Sequence, residues 1–160
     1  MRSMTWCVTA AMVLLFAVWP AEAAVFRNLS WGEPPEALGD IIVVETNGPL
    51  LTVERRQEDR QLGSVTALVI RYSFFERQLY QVSVGTLNGA ELERLVFARY
   101  GQPTTSLSGY HFWDIGDEDT LVTFVRDDDL AVMILSSMSL LELVDVWERS
   151  QEEAEARSAW

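Results

Sequence analysis

Apolar and polar residues alternate in short runs between residues 40 and 85, and these runs are rich in β-branched and aromatic side chains. Turn residues separate them, so the pattern predicts strands over 40–46, 50–56, 65–75 and 78–85. A short polar break joins the last two runs, which is typical of an antiparallel hairpin. Its apolar faces are formed by Leu68, Ile70, Tyr72, Phe74, Leu79, Val82 and Val84.

The residues that follow predict a helix over 88–100, with signals at both ends. Asn88 is a favourable N-cap, and Glu91 stands where a capping box places its acidic residue. Apolar residues then recur at helical spacing. Gly101 is suited to the left-handed C-terminal stop, and Pro103 prevents the helix from continuing.

Strand patterning resumes over 108–115, 119–127 and 130–137, with acidic turns between the runs. A last helix is predicted over 139–150, because an apolar stripe recurs there at helical spacing. The charged tail, residues 151–160, carries Arg and Glu four positions apart. Such pairs support a solvated helix, and we expect it to fray in part.

These elements predict one α+β domain over residues 24–150. An antiparallel sheet of about seven strands is expected, packed on one side by the two helices. The hairpin at 72–82 is loosely echoed by 122–132, which leaves an internal duplication open.

Residues 1–23 have the layout of a secretory signal peptide: an early Arg2, an apolar run and an A-x-A site ending at Ala23. The apolar run is shorter than the roughly 20 residues of a transmembrane helix. Cys7 precedes most of that run, which argues against a lipid-modified N terminus. We therefore expect cleavage near Ala23 and a soluble periplasmic chain, with an uncleaved membrane anchor as the alternative.

The formal net charge is −12, and every basic residue is arginine. A surface this acidic repels phosphate backbones and anionic headgroups, so neither nucleic acid nor stable membrane insertion after cleavage is expected. No cysteine follows Cys7. The small disulfide-rich class of secreted proteins is thereby excluded.

Few residues are suited to catalysis. After residue 23 there is no lysine and a single histidine, His111, which we assign to a strand surface because no triad signature accompanies it. One histidine is too few for a usual zinc site, and the acidic turns at 116–119 and 127–129 lack the spacing of a calcium loop. The sequence therefore predicts no catalytic residue, no cofactor and no metal ligand.

The segment that follows the expected cleavage site is predicted to tie the chain to its core. Trp31 supplies a large apolar ring, and Gly32 permits a sharp turn beside it. We expect Trp31 to pack against the sheet or the last helix near Trp147, and the alternative is the edge of a binding site. Further structural anchors are predicted at Tyr100, Gly101 and Trp113.

Two pairs of adjacent aromatic residues, Phe74-Phe75 and Phe112-Trp113, lie in predicted strands. Neighbours in a strand point to opposite faces, so one ring of each pair lies away from the main core. Phe75 and Phe112 are therefore the predicted partner face.

Several short motifs carry a family resemblance: "FRNLSWG", a "Y-x-F-F" hairpin followed by "L-x-x-V", a helix ending "RYGQP", and a strand with a tryptophan. Over residues 26–136 the chain resembles small exported proteobacterial proteins of uncharacterised function, which have an N-terminal "WG" and a central "YGxP". The resemblance implies shared fold markers and no shared catalytic residues. Members often have a short helix after "WG", but Pro34-Pro35 disfavours a regular one here.

These observations favour a non-enzymatic periplasmic protein, a binding or envelope-associated interaction module whose partner is an unidentified periplasmic or envelope protein. The spacing of a carboxylate pair is three-dimensional and is not visible in a sequence. A small carboxylate-dependent hydrolase acting on envelope glycans is therefore the alternative.

Overall fold

The computed structural model describes residues 24–158; residues 1–23, with the expected signal peptide and its cleavage site, and residues 159–160 lie outside them. An antiparallel sheet of eight strands, a separate two-stranded hairpin and two α-helices make up one domain. The predicted α+β fold is confirmed, with about eight strands in the sheet where about seven were expected.

The ten strands are β1 (Ile41–Asn47), β2 (Leu50–Arg55), β3 (Gln61–Leu62), β4 (Val65–Thr66), β5 (Val69–Phe75), β6 (Gln78–Thr86), β7 (Thr105–Leu107), β8 (Tyr110–Ile115), β9 (Thr120–Asp127) and β10 (Leu130–Ser137). The helices are α1 (Gly89–Tyr100) and α2 (Met138–Ser158). The main sheet has the order β1-β2-β5-β6-β10-β9-β8-β7, and β3 pairs only with β4. A short 3-10 turn over Pro35–Leu38 takes the place of a regular helix.

The predicted strand over 65–75 is divided in two. Its first residues, β4, turn back to pair with β3, and β5 begins only at Val69. Leu68 lies between the two strands and is exposed, so its assignment to the apolar face is wrong. The other members of that face, Ile70, Tyr72 and Phe74, are buried as predicted.

The main core lies between one face of the sheet and α1. Leu92 and Val96 of α1 belong to the same buried cluster as Val122 and Phe124 of β9 and Leu135 of β10. Each such side chain, fully buried, contributes about 1.5–3 kcal/mol to folding. This cluster is the principal source of stability.

Helix α2 packs on the opposite face of the sheet, so the expectation that both helices cover one side is wrong. Strand residues alternate in direction, and Phe75 points away from the face that carries Phe74. The Phe75 ring lies 6.3 Å from the ring of Trp147 in α2. Val144 is the buried residue of α2, so most of this helix is open to solvent.

The predicted start of α1 is confirmed in position, since Asn88 is the N-cap residue, but the predicted capping hydrogen bonds are wrong. Asn88 makes no side-chain capping hydrogen bond, and Glu91 instead binds Arg94 and the Ser64 hydroxyl. The Gly89 N–H donates to the Asp129 carbonyl at 2.8 Å, which caps the helix from another loop. The predicted stop at the other end is confirmed: Gly101 has φ +74° and donates to the carbonyl of Phe97.

Strand β1 forms one edge of the sheet and exposes Ile42, Val43 and Val44. Its pairing with β2 shifts register between Val43 and Glu45. Irregularities of this kind discourage association between sheet edges.

Candidate ligand-binding groove

A groove of about 650 Å³ lies between α1, the N-terminal residues 24–27 and the β3–β4 hairpin. Met133 and Leu135 of β10 form its floor, while Leu92, Leu95 and Val96 line it from the helix. Most of its lining is apolar, and among residues 24–158 no carboxylate contributes to it. The volume lies within the roughly 300–1,000 Å³ of small-molecule sites.

One wall of the groove is the segment 24–27, and several contacts hold it in place. Phe26 is buried with its ring 6.3 Å from that of Tyr72, and it forms an isolated β-bridge with Leu29. Arg27 donates hydrogen bonds to the Glu58 carboxylate and to the Asp59 carbonyl. The wall is therefore fixed by both packing and an ion pair.

Behind this wall lies a buried polar cluster. The Tyr72 hydroxyl donates to Glu58 Oε2 at 2.7 Å, and only 5% of the Glu58 side chain is exposed. The Arg55 guanidinium lies 5.5 Å from the centre of the Tyr72 ring. Burial, reinforced by Glu58, raises the pKa of Tyr72 far above its usual value. Tyr72 therefore stays protonated at neutral pH and serves as a hydrogen-bond donor.

Two arginines contribute to the groove lining, and they differ in their surroundings. Arg27 is held by Glu58. Arg99 is exposed near the end of α1, with its guanidinium carbon 5.4 Å from the ring centre of Tyr100. Within residues 24–158, Arg99 has no carboxylate within ion-pair distance, whereas Arg94 on the same helix pairs with Glu91.

The structure ties the predicted anchor Trp31 to the sheet. Its Nε1 donates to Thr120 Oγ1 at 3.0 Å, and the half-buried ring packs against the main core. Gly32 has φ +81° and donates to the Leu79 carbonyl at 2.9 Å. Trp147, the other expected neighbour of Trp31, lies instead beside Phe75.

Replacing Trp31 with alanine is expected to lower the free energy of unfolding by about 2–3 kcal/mol, less than a fully buried tryptophan loses, because the ring is half-exposed. Glu33→Ala is the matched control. Glu33 accepts a hydrogen bond from Leu79 through its backbone carbonyl, which alanine keeps, so its cost should stay below about 0.5 kcal/mol. Denaturant unfolding of both variants measures this, and equal stabilities would contradict an anchoring role for Trp31.

The other three predicted anchors form one cluster. Trp113 is 2% exposed, and its Nε1 donates to the Gly101 carbonyl at 3.1 Å. Its ring centre lies 5.3 Å from that of Phe97 and 6.3 Å from that of Tyr100. The end of α1 is therefore attached to β8 through an indole.

The predicted partner face is only partly available. Phe75 is 6% exposed because Trp147 covers it, so it offers no open surface. Phe112 is half-buried and stacks at 6.3 Å on the exposed Tyr110. His111, predicted to lie on a strand surface, is half-buried, with its ring centre 5.4 Å from that of Phe97, and shares a hydrogen bond with Ser106.

A smaller pocket of about 350 Å³ adjoins Trp31 and the acidic turn 116–119. Asp119 accepts hydrogen bonds from the Ser139 N–H at 2.9 Å and from the hydroxyls of Ser137 and Ser139, which caps the start of α2. Burial acts to raise the pKa of Asp119, but these hydrogen bonds outweigh it and the pKa is lowered. A general acid needs the opposite shift.

The acidic residues of this pocket, 117–119, are consecutive in one turn and lie on one wall. Glycosidases instead place two carboxylates on either side of the scissile bond.

Among residues 24–158, no group of three or more His, Cys, Asp or Glu side chains is arranged to hold a metal ion. No helix of this part of the chain is long and apolar enough to cross a bilayer.

Comparison with protein-family models, curated proteins and solved structures finds no match. The family resemblance therefore stays a prediction. Sequence reasoning missed the groove, although Leu92, Leu95 and Val96 of its lining belong to the apolar stripe that recurs at helical spacing in the predicted helix 88–100. That stripe gave no signal of a groove, because the open side depends on where residues 24–27 and the β3–β4 hairpin lie.

Proposed function

We propose that the protein is a non-enzymatic binding module of the periplasm that holds an apolar ligand in the groove beside α1. The observation that carries this proposal is a groove of about 650 Å³ whose lining, within the described residues 24–158, is mainly apolar and contains no carboxylate. A ligand that binds there removes apolar surface from contact with water. This favours binding by about 25 cal/mol for each Å² of apolar surface buried, before the costs of association are subtracted.

The construction of the groove supports a pre-formed site. Its floor belongs to β10, which pairs on both sides with β6 and β9. Its N-terminal wall is held by Phe26 and by the Arg27–Glu58 pair. A ligand that enters such a site orders few additional groups, so less of its binding free energy is lost.

The periplasmic part of the proposal depends on the signal-peptide pattern of residues 1–23 and on the resemblance to small exported proteins. A hydrolase acting on envelope glycans is the weaker proposal. Of the residues that the structure describes, none places a carboxylate in the larger groove, and those in the smaller pocket come from a single turn.

A homologous series of n-alkanols tests the proposal, titrated into the purified protein by calorimetry. We expect affinity to rise about three- to fourfold for each added methylene until the groove is filled. Ala98→Trp should abolish binding, because Ala98 lines the groove and is itself exposed, so a large ring can enter without disturbing the core.

Ala90→Trp is the matched control, since Ala90 is an exposed residue of the same helix outside the groove lining. It should bind the alkanols as the parent does. Affinity independent of chain length, or binding that survives Ala98→Trp unchanged, would show that the groove is not the ligand site.

A further inference from the structure

The arginines of this acidic protein are mostly neutralised by neighbouring carboxylates. Residues 24–158 contain seven ion pairs between arginine and Asp or Glu, two of them from α1 residues, Glu91 and Glu93. Arg99 is in none of them, although it belongs to the same helix. Residues 24–158 contain eleven arginines, so four lie outside these seven pairs, and Arg99 is the one of the four that contributes to the groove lining.

We infer that the groove binds an amphiphile with one carboxylate headgroup, an inference that rests on the proposed function. The alkyl chain lies in the groove and the carboxylate lies at Arg99. The guanidinium lies over the Tyr100 ring, and both residues contribute to the groove lining. A guanidinium presents N–H donors in a planar fork that matches the two oxygens of a carboxylate.

The chemistry of the lining favours a single negative charge on the ligand. Arg27 also reaches the groove, but the Glu58 carboxylate and the Asp59 carbonyl accept its hydrogen bonds, so Arg99 is the arginine of residues 24–158 that is available to a ligand there. The formal net charge of −12 opposes highly charged anions and anionic membrane surfaces. Its effect on a monoanion inside the groove is limited, because exposed charges farther than about 8–10 Å are screened at physiological salt.

In the described part of the chain, the two segments that face α1 across the groove place no carboxylate in its lining. The β3–β4 hairpin contributes Leu62 and Gly63 there, and the N-terminal wall contributes Ala24 and Val25 beside Phe26 and Arg27. A carboxylate at Arg99 therefore meets a guanidinium and apolar groups, without a like charge among the lining residues that the structure describes.

The test compares a saturated fatty acid with the fatty alcohol of the same chain length, below the concentration at which either forms micelles. At neutral pH the parent should bind the acid about fivefold more tightly than the alcohol, as for a partly exposed ion pair. Added salt should reduce that preference. Arg99→Gln should abolish the preference, mainly by weakening the binding of the acid.

Arg94→Gln is the control, since it removes the same charge from the same helix outside the groove lining. It should keep the preference for the acid, and Arg99→Lys should keep part of it. Circular dichroism and the melting temperature show whether each variant is folded. Equal binding of acid and alcohol by the parent, or a preference that survives Arg99→Gln, would overturn the carboxylate assignment while leaving the apolar groove in place. If the parent binds neither ligand, the proposed function itself fails.

Discussion

Replacing Trp113 with alanine is expected to lower the free energy of unfolding by about 3–5 kcal/mol, as large aromatic truncations in cores do. The side chain is 2% exposed and touches both Phe97 and Tyr100 of α1. Its truncation leaves a cavity between β8 and the helix and removes the donor that the Gly101 carbonyl accepts. Denaturant unfolding followed by fluorescence measures the loss.

Trp113→Phe separates packing from hydrogen bonding. Phenylalanine keeps most of the ring contact and loses the N–H donor, so about 1–2 kcal/mol is expected. Leu107→Ala is the control for a change in the same hairpin, because Leu107 is exposed, and it should cost less than about 0.5 kcal/mol. If Trp113→Ala unfolds at the same denaturant concentration as Leu107→Ala, the indole does not attach α1 to the sheet.

The elements themselves were predictable because their signals are local. Alternation identified the strands of the hairpin β5–β6, and Gly101 with Pro103 marked the end of α1. Trp113 and Gly101 were both predicted as anchors, and the structure brings them into one hydrogen bond. Local patterns suffice where the physical cause, such as a positive φ at Gly101, belongs to one residue.

The errors arise where distant segments compete with local signals. Asn88 and Glu91 form a capping pattern in sequence, but the Asn88 N–H donates to Thr86 Oγ1 and the Glu91 carboxylate binds Arg94 instead. Alternation also placed Phe75 away from the core correctly and could not show that Trp147 returns to cover it. The side of the sheet on which α2 packs is set by such tertiary contacts.

The candidate site was not predictable for the same reason. Leu95 follows the helical spacing of a core residue, yet it is only half-buried, because the chain leaves a gap beside it. That gap is bounded by residues 24–27, whose position is fixed by Arg27 and Glu58, 31 residues apart in sequence. No local pattern links those two residues.

Glu58→Ala is expected to lower the free energy of unfolding by about 2–4 kcal/mol and to weaken ligand binding in the groove. The carboxylate is 5% exposed and accepts from both Arg27 and the Tyr72 hydroxyl. Its removal leaves a buried hydroxyl without an acceptor and a guanidinium without its ion pair, and each loss is costly inside a protein. The released Arg27 no longer holds residues 24–27 against the domain.

Tyr72→Phe distinguishes a general loss of stability from a loosened wall. It deletes one hydrogen bond and keeps the Arg27–Glu58 pair, so it should cost about 1–2 kcal/mol and leave alkanol affinity unchanged.

Arg27→Ala should instead weaken alkanol binding and speed exchange of the Val25 amide, which donates to the Leu29 carbonyl at 2.7 Å. In the Arg27/Glu58 double-mutant cycle, the two substitutions should cost less together than the sum of their separate costs, because both break the same ion pair. Additive costs, with alkanol binding unchanged in both single variants, would mean that the groove keeps its shape without this pair.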